Sequence, residues 1–260
     1  MEKTAVLVVG RVGRRTLEFL SELGRFAHLM GRVIQELGGV FRDRGLFLQE
    51  CVMLGIGSLP LVLIVGFFTG AVSAWQGHYQ AQDYLPFDLI GPTVFKAVML
   101  ELGPVLTALV IAGRVSASIA AEIGSMKVTE QIDALESMAI SSVRYLAVPR
   151  IAAMTVMMPI LVVQAVFIAV MGAALVLTVM LTLTANQFWG LIPNFFYVYD
   201  VFCGLLKSLF FGMCASMIGC YVGFRTEGGA EGVGLATITA FVWSCLSILA
   251  LDFLLGMILF

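Results

Sequence analysis

Charge is what this sequence has least of. Only 12% of its 260 residues are Asp, Glu, Lys or Arg. A soluble domain carries about 25%, because folding leaves a surface that water must wet. With 60% hydrophobic residues and a mean hydropathy of +1.00, the chain cannot clothe a soluble globule of this size. The same numbers exclude intrinsic disorder. Basic excess is lacking too. A net charge of −2 and a pI near 5.7 leave no footprint for nucleic acid, so no nucleic-acid partner is expected.

Histidine is nearly absent. His28 and His78 are the only two, and no nucleophile–base pairing is evident, which disfavours an intramembrane hydrolase. Cysteine is sparse and odd in number. Cys51, Cys203, Cys214, Cys220 and Cys245 fall in or beside apolar runs, without a CxxC or Cys/His cluster. That pattern excludes a secreted disulfide scaffold, and no metal site is expected. A P-loop is missing as well. Lys207 is followed by Ser208 but preceded by Leu206, and Lys3, Lys96 and Lys127 lack the motif's context. No catalytic site is expected in this chain, and no cofactor of its own.

Long apolar runs are what the sequence has instead. A spanning helix needs about 20 mostly apolar residues. Val52–Trp75 is uncharged throughout; Pro92–Gly113 contains Glu101. Ile151–Tyr199 carries no charge, and Asn186, Gln187 and Pro193 suggest a turn after a helix ending near Leu183. Val201–Phe224 contains Lys207, and Leu235–Phe260 contains Asp252. The fold class is therefore all-α integral membrane with five transmembrane helices. No inverted repeat is visible, which counts against common secondary-transporter folds.

The start of the chain does not read as a signal peptide. Ala5–Val9 is too short for an apolar core and Arg11 follows at once. Residues 11–41 read as an amphipathic helix, with Thr16, Phe19, Leu23, Phe26, Met30, Val33 and Leu37 on one face. It either lies in the membrane interface or packs on other protein; the interface is the preferred reading. Lysine and arginine counts set the orientation. Lys3, Arg11, Arg14, Arg15, Arg25, Arg32, Arg42, Arg44, Arg114, Lys127, Arg144, Arg150 and Arg225, thirteen of fifteen bases, fall on one side. That side is expected to be cytoplasmic, with the N-terminus in and the C-terminus out. Trp75, Tyr79, Tyr84, Trp189, Tyr197 and Tyr199 then form an aromatic belt on the far side.

The segment from Arg114 to Arg150 is too long for a simple turn. Within it, Val128–Ala139 reads as one short helix with Val128, Ile132, Leu135, Met138 and Ala139 on a shared face. Glu130, Asp133 and Glu136 occupy the other face. From Glu122 to Ile140 the net charge is −3, against the usual bias of a positive-inside loop. This is either a solvated loop helix or a docking element for something basic.

Glu101, Lys207 and Asp252 are expensive inside a membrane, about 2.5–3.5 kcal/mol each on insertion scales. Two acids and one base invite a triad around Lys207, and Pro104 is placed to open the helix beside Glu101. The triad either fixes helix packing or lines a polar part of a transport path. Gly66–Gly70 and Gly219–Gly223 are GxxxG patterns, which permit close helix contact. Gly228–Gly234 reads as a turn between the last two spans.

The run ELGPVLTALVIAGR at 101–114, continuing through AEIGSMKVTEQIDALESM at 121–138, resembles the signature of the MlaE (YrbE-type) permeases. These are membrane subunits of ABC transporters that move lipids with MCE-domain proteins. The likeness extends to the amphipathic helix, the five spans and Leu251-Asp252-Phe253, so it covers nearly the whole chain. Many family members carry a base just before the glutamate; here that position is Leu100.

The resemblance implies a division into a cytoplasmic segment 1–50 and a permease domain 51–260, with the coupling region at 114–150. It implies a homodimer, two cytoplasmic ABC ATPase subunits that bind ATP and Mg, periplasmic MCE-domain subunits and often a STAS-domain protein. It implies that a cytoplasmic coupling helix around Glu122, Lys127, Glu130, Asp133, Leu135 and Glu136 sits in a groove of the ATPase. The cargo implied is phospholipid, and the address a bacterial inner membrane. Phe67, Phe68, Val98 and Leu102 are candidates for contact with acyl tails along a path shared with Glu101, Lys207 and Asp252. The alternative is an ion- or proton-coupled secondary transporter using Glu101 and Asp252. A non-transporting membrane scaffold is the third reading.

Overall fold

A computed structural model describes the backbone of residues 2–38, 44–81, 86, 89–180 and 184–259. Side chains of 1–16, 18, 19, 81 and 185–187 are outside that description. Arg42, Tyr84, Leu183 and Phe260, and the side chains of Lys3, Arg11, Arg14, Arg15, Thr16, Phe19, Asn186 and Gln187, therefore lie outside the described residues. Every element among the described residues is helical.

In chain order the α-helices are α1 (Glu2–Glu36), α2 (Arg44–Glu50), α3 (Leu59–Ala81), α4 (Ile90–Ala97), α5 (Gly103–Ile111), α6 (Ala117–Val128), α7 (Gln131–Ser137), α8 (Val148–Leu175), α9 (Ala185–Phe195), α10 (Val198–Phe224) and α11 (Gly229–Leu259). Short π and 3-10 turns join several of these into five continuous segments. The segments are Arg44–Gln80, Ile90–Val128, Val143–Met180, Val198–Phe224 and Gly229–Leu259, each long and apolar enough to cross a membrane. The protein is a multi-pass membrane protein. Helix is the natural solution because the bilayer core offers no water to satisfy backbone N–H and C=O groups.

The segments are longer than the apolar runs suggested, the first and second most of all. Span two does not end at Gly113. It continues through Arg114 as a π turn over Ala112–Ser116 and then as α6. Arg114 is therefore not in a loop; its guanidinium donates to Ser58 Oγ of span one at 2.5 Å. The turn expected at Asn186, Gln187 and Pro193 is instead α9. That helix buries Phe188 and Ile192 in one cluster with Ile90 and Val94 of α4, an apolar stripe at positions four apart that a turn could not offer.

Two π turns share a cause. Gly103 N–H bonds to Val98 O and Val148 N–H to Val143 O, one residue further back than in an α-helix. In each case the next residue is proline, Pro104 or Pro149. Proline has no N–H for the i−4 carbonyl, and the ladder absorbs the loss by slipping one residue, the usual form of a π bulge. Each slip turns the following side chains by about 100°.

The close interface between spans one and three is built on glycine. A Cβ on Gly66 would stand 2.8 Å from Ala165 O, and one on Gly70 would overlap the Ala169 carbonyl. Gly219 and Gly223 likewise face Ser116 and Ile123 of span two. Both GxxxG patterns thus lie at helix contacts. The larger core cluster gathers Ile111, Ile119, Met154, Met158, Phe211 and Ile248. By contrast, span five is mostly uncovered: only Ala236, Ala240, Ser244 and Ile248 of α11 are buried.

Candidate functional site

Two groups of charged side chains tie the bundle together. The first is the triad suggested by the sequence. Lys207 of α10 is fully buried, with its Nζ 2.7 Å from Glu101 Oε1 and 3.0 Å from Asp252 Oδ1. It therefore joins spans two, four and five. Glu101 is not enclosed by the bundle, although a charge in a membrane normally faces its interior. Its side chain is 48% exposed, on a face that this chain alone leaves open. The π turn Val98–Leu102 holds it. With two carboxylates and one ammonium, the group carries one net negative charge when all three are ionised.

The second group was not legible as a site. Arg150 of α8 is almost completely buried. Its Nη2 donates to Glu122 Oε1 at 2.6 Å and its Nε to Glu50 Oε1 at 3.2 Å. Glu50 ends α2 in span one, and Glu122 lies on α6 in span two. Span two thus supplies one acid to each group, at positions 101 and 122, about 30 Å apart along the helix. The sequence counted Arg150 only as a loop base. The signal available was its place immediately after Pro149 and at the edge of the uncharged run from Ile151.

Placing Glu122 on α6 corrects the expected single helix. The chain breaks at Thr129–Glu130, where Glu130 takes φ 60°, and again at Ala139, with φ 59°. Only Gln131–Ser137 forms α7 between them. Val128 and Ala139 fall outside it. Helical periodicity continues across a left-handed residue only in the sequence, since the backbone changes direction there. On α7, Ile132 is buried and Leu135 packs against the main cluster, while Glu130, Asp133 and Glu136 stay exposed. Lys127 Nζ bonds Asp133 Oδ1 at 2.8 Å, and Ser142 Oγ donates to Glu136 Oε1 at 2.8 Å.

The amphipathic helix packs on this same end of the bundle. Val33 is buried in the main cluster with Ile132, and Phe26, Leu29 and Met30 pack beside it. Glu36 accepts from Ser141 Oγ at 3.0 Å. Glu22 accepts from Tyr221 Oη at 2.6 Å and pairs with Arg225, while Phe26 meets Tyr221 edge-on at 5.4 Å. Leu17, Leu20, Leu23, Ile34 and Leu37 remain exposed. Part of the helix surface is thus covered by protein, and an apolar remainder is open.

The four apolar candidates separate. Phe68 is exposed and Phe67 half-buried, their rings edge-to-face at 5.6 Å. Leu102 is partly buried beside Val65, Gly66 and Thr69 of span one. Val98 is 1% exposed inside the second cluster, so it contacts protein and not acyl chains in this conformation. It continues the buried face of α4, four residues beyond Val94 and eight beyond Ile90.

The family described as permease MlaE matches residues 47–258. This chain belongs to the MlaE permease family. It is 37% identical to a probable ABC transporter permease protein of Rickettsia typhi over 253 residues, 97% of this chain and 98% of that one. A probable ABC transporter permease protein of Synechocystis is 39% identical over 213 residues, 82% of this chain and 81% of its own. The intermembrane phospholipid transport system permease protein MlaE of Haemophilus influenzae is 31% identical over 253 residues, 97% of each chain. The protein is accordingly an ABC transporter permease. The matched span takes in both ion groups and α7.

Proposed function

We propose that this permease is the membrane subunit of an ATP-driven phospholipid transporter of a bacterial inner membrane. Two copies form a homodimer, and each carries one ABC ATPase subunit that binds ATP and Mg. MCE-domain subunits stand on the periplasmic side and exchange lipid with the permease, and a STAS-domain protein attends the ATPase. The N-terminus is cytoplasmic and the C-terminus periplasmic. In this reading the chain has no catalytic site of its own, and residues 114–150 form the coupling region of a permease domain running from 51 to 260.

The observation that carries the reading is α7. It is a two-turn helix set off by two left-handed residues, anchored by Ile132 and Leu135 and presenting Glu130, Asp133 and Glu136 outward. Such a knob suits the groove of an ATPase. The phospholipid cargo is supported by the relative from Haemophilus influenzae, whose name states that transport. Glu101 supports a polar station on the lipid path, since it is open on one side and held by Lys207 on the other. The uncovered faces of α11 and of Phe68 on α3 suit the second copy and the acyl tails. A proton-coupled secondary transporter fits less well, because Glu101 and Asp252 are both engaged by Lys207.

Charge reversal on α7 tests the docking. Purified from membranes in mild detergent, the wild type brings an ATPase with it, and Glu130→Lys with Asp133→Lys does not, while folding and dimerisation persist. Losing the exposed Lys127–Asp133 pair costs less than about 1 kcal/mol, so the variant stays folded. Equal recovery of the ATPase by both would overturn the assignment of α7.

A further inference from the structure

The Arg150 group stands at the base of α7, and neither the docking of α7 nor the lipid path makes use of it. Glu122 lies before α7 and Arg150 after it, 28 positions apart. Their bond closes the whole excursion α6–α7–α8 into a loop. A displacement of α7 that is passed on to α6 or α8 either carries both together or breaks this bond.

A second arrangement is available to Arg150 once that bond breaks. Arg150 Nη1 and Glu50 Oε2 are both buried and have no hydrogen-bond partner among the described residues. Nη1 lies on the guanidinium edge away from Nε–H, so the opening for a shift is the free acceptor Oε2, on a carboxylate already bonded to Nε through Oε1. The Nε–H and Nη2–H edge of a guanidinium joins a carboxylate by two parallel bonds, so Nη2, once off Glu122, can turn to Glu50 Oε2. Glu122, in contrast, is 44% exposed, so water can satisfy it once released. Glu50 and Arg150 are at most 14% exposed and must find partners within the protein.

We propose that Arg150 is a two-position clamp that couples α7 to the spans. In one position it bridges Glu50 and Glu122, and spans one, two and three move as one body. In the other it pairs with both oxygens of Glu50, Glu122 is freed, and span two turns independently. Because span two also carries Glu101, release at position 122 alters how Glu101 is presented to Lys207 at the far triad. Arg150, Glu122 and Glu50 are positioning residues, and the inference rests on the proposed transport function.

The test uses the detergent-purified complex of this chain with its co-purifying ATPase, reconstituted in phosphatidylethanolamine–phosphatidylglycerol vesicles. Labelled phospholipid moved is measured per ATP hydrolysed, with a thermal unfolding midpoint for each variant. Glu122→Gln should fold, since Glu50 takes over Arg150, yet move at least about tenfold less lipid per ATP, within the usual range of site–site coupling. Glu122→Asp should restore most of that ratio, which a purely structural role would not require. Glu50→Gln, which strands Arg150, should lower the midpoint more than Glu122→Gln does. An unchanged ratio in Glu122→Gln would overturn the clamp. So would failure of that variant to fold, or no recovery in Glu122→Asp. A wild type that brings down no ATPase would instead overturn the proposed transport function.

Discussion

Replacing Lys207 by methionine is expected to be among the most damaging single changes in this protein. Lys207 is buried, and its ammonium is shared by Glu101 and Asp252 at 2.7 and 3.0 Å. Without it Asp252 and the half-exposed Glu101 lose their shared counter-charge. Removing one partner of a buried ion pair costs about 3–5 kcal/mol, because the other charge is left uncompensated. For a chain of this size that lowers the unfolding midpoint by about 10 °C. The combined variant Lys207→Met, Glu101→Gln and Asp252→Asn should recover most of the loss, since replacing a whole buried ion group is often neutral. Transport should not recover with it if the open carboxylate of Glu101 serves the lipid path. Thermal unfolding by tryptophan fluorescence reads the first effect, and lipid transfer in vesicles the second. A Lys207→Met protein as stable as the wild type would show that the triad contributes no net pairing.

Gly70→Leu is expected to abolish the fold. At this point α3 crosses α8 with no room for any side chain, and even a methyl would overlap the Ala169 carbonyl. The obstacle is backbone, which cannot swing aside as a flexible side chain can. Ordinary overpacking costs about 1–3 kcal/mol, and a clash with backbone exceeds it because two spans must separate. The variant should fail to yield a monodisperse protein, and Gly70→Ala should lower the midpoint clearly. Gly24→Ala is the control: nothing lies within 4 Å of its added methyl on α1, and helix propensity favours alanine. Size-exclusion profiles compare the three. A well-behaved Gly70→Leu protein would mean that spans one and three do not meet at Gly70.

The five spans were legible because lipid imposes one rule along the chain: apolar residues for about 20 positions in a helix. Their ends were less so. Arg114 stopped span two in the sequence, since a charge reads as a boundary. In the structure span one supplies Ser58 Oγ to Arg114, so the helix passes through it. The Lys207 group was legible because charges inside apolar runs must find one another. The Arg150 group was not, because Glu50, Glu122 and Arg150 lie at the edges of such runs, where charge is ordinary. Periodicity found the buried face of α7, Ile132 and Leu135, but ran past both left-handed residues. Neither Glu130 nor Ala139 is glycine, so nothing in the residue types announced a positive φ. The extent of α9 was hidden by Asn186, Gln187 and Pro193, which read as turn formers until α4 offers a surface for Phe188.

The most direct measurement places the permease with its ATPase in sealed vesicles and tracks labelled phospholipid into or out of an added acceptor protein. Lipid should move with ATP and Mg and stop when a non-hydrolysable analogue replaces ATP. It should also stop when the ATPase is omitted. Movement by the permease alone, driven by a proton gradient and indifferent to ATP, would contradict the assignment of an ATP-driven phospholipid transporter.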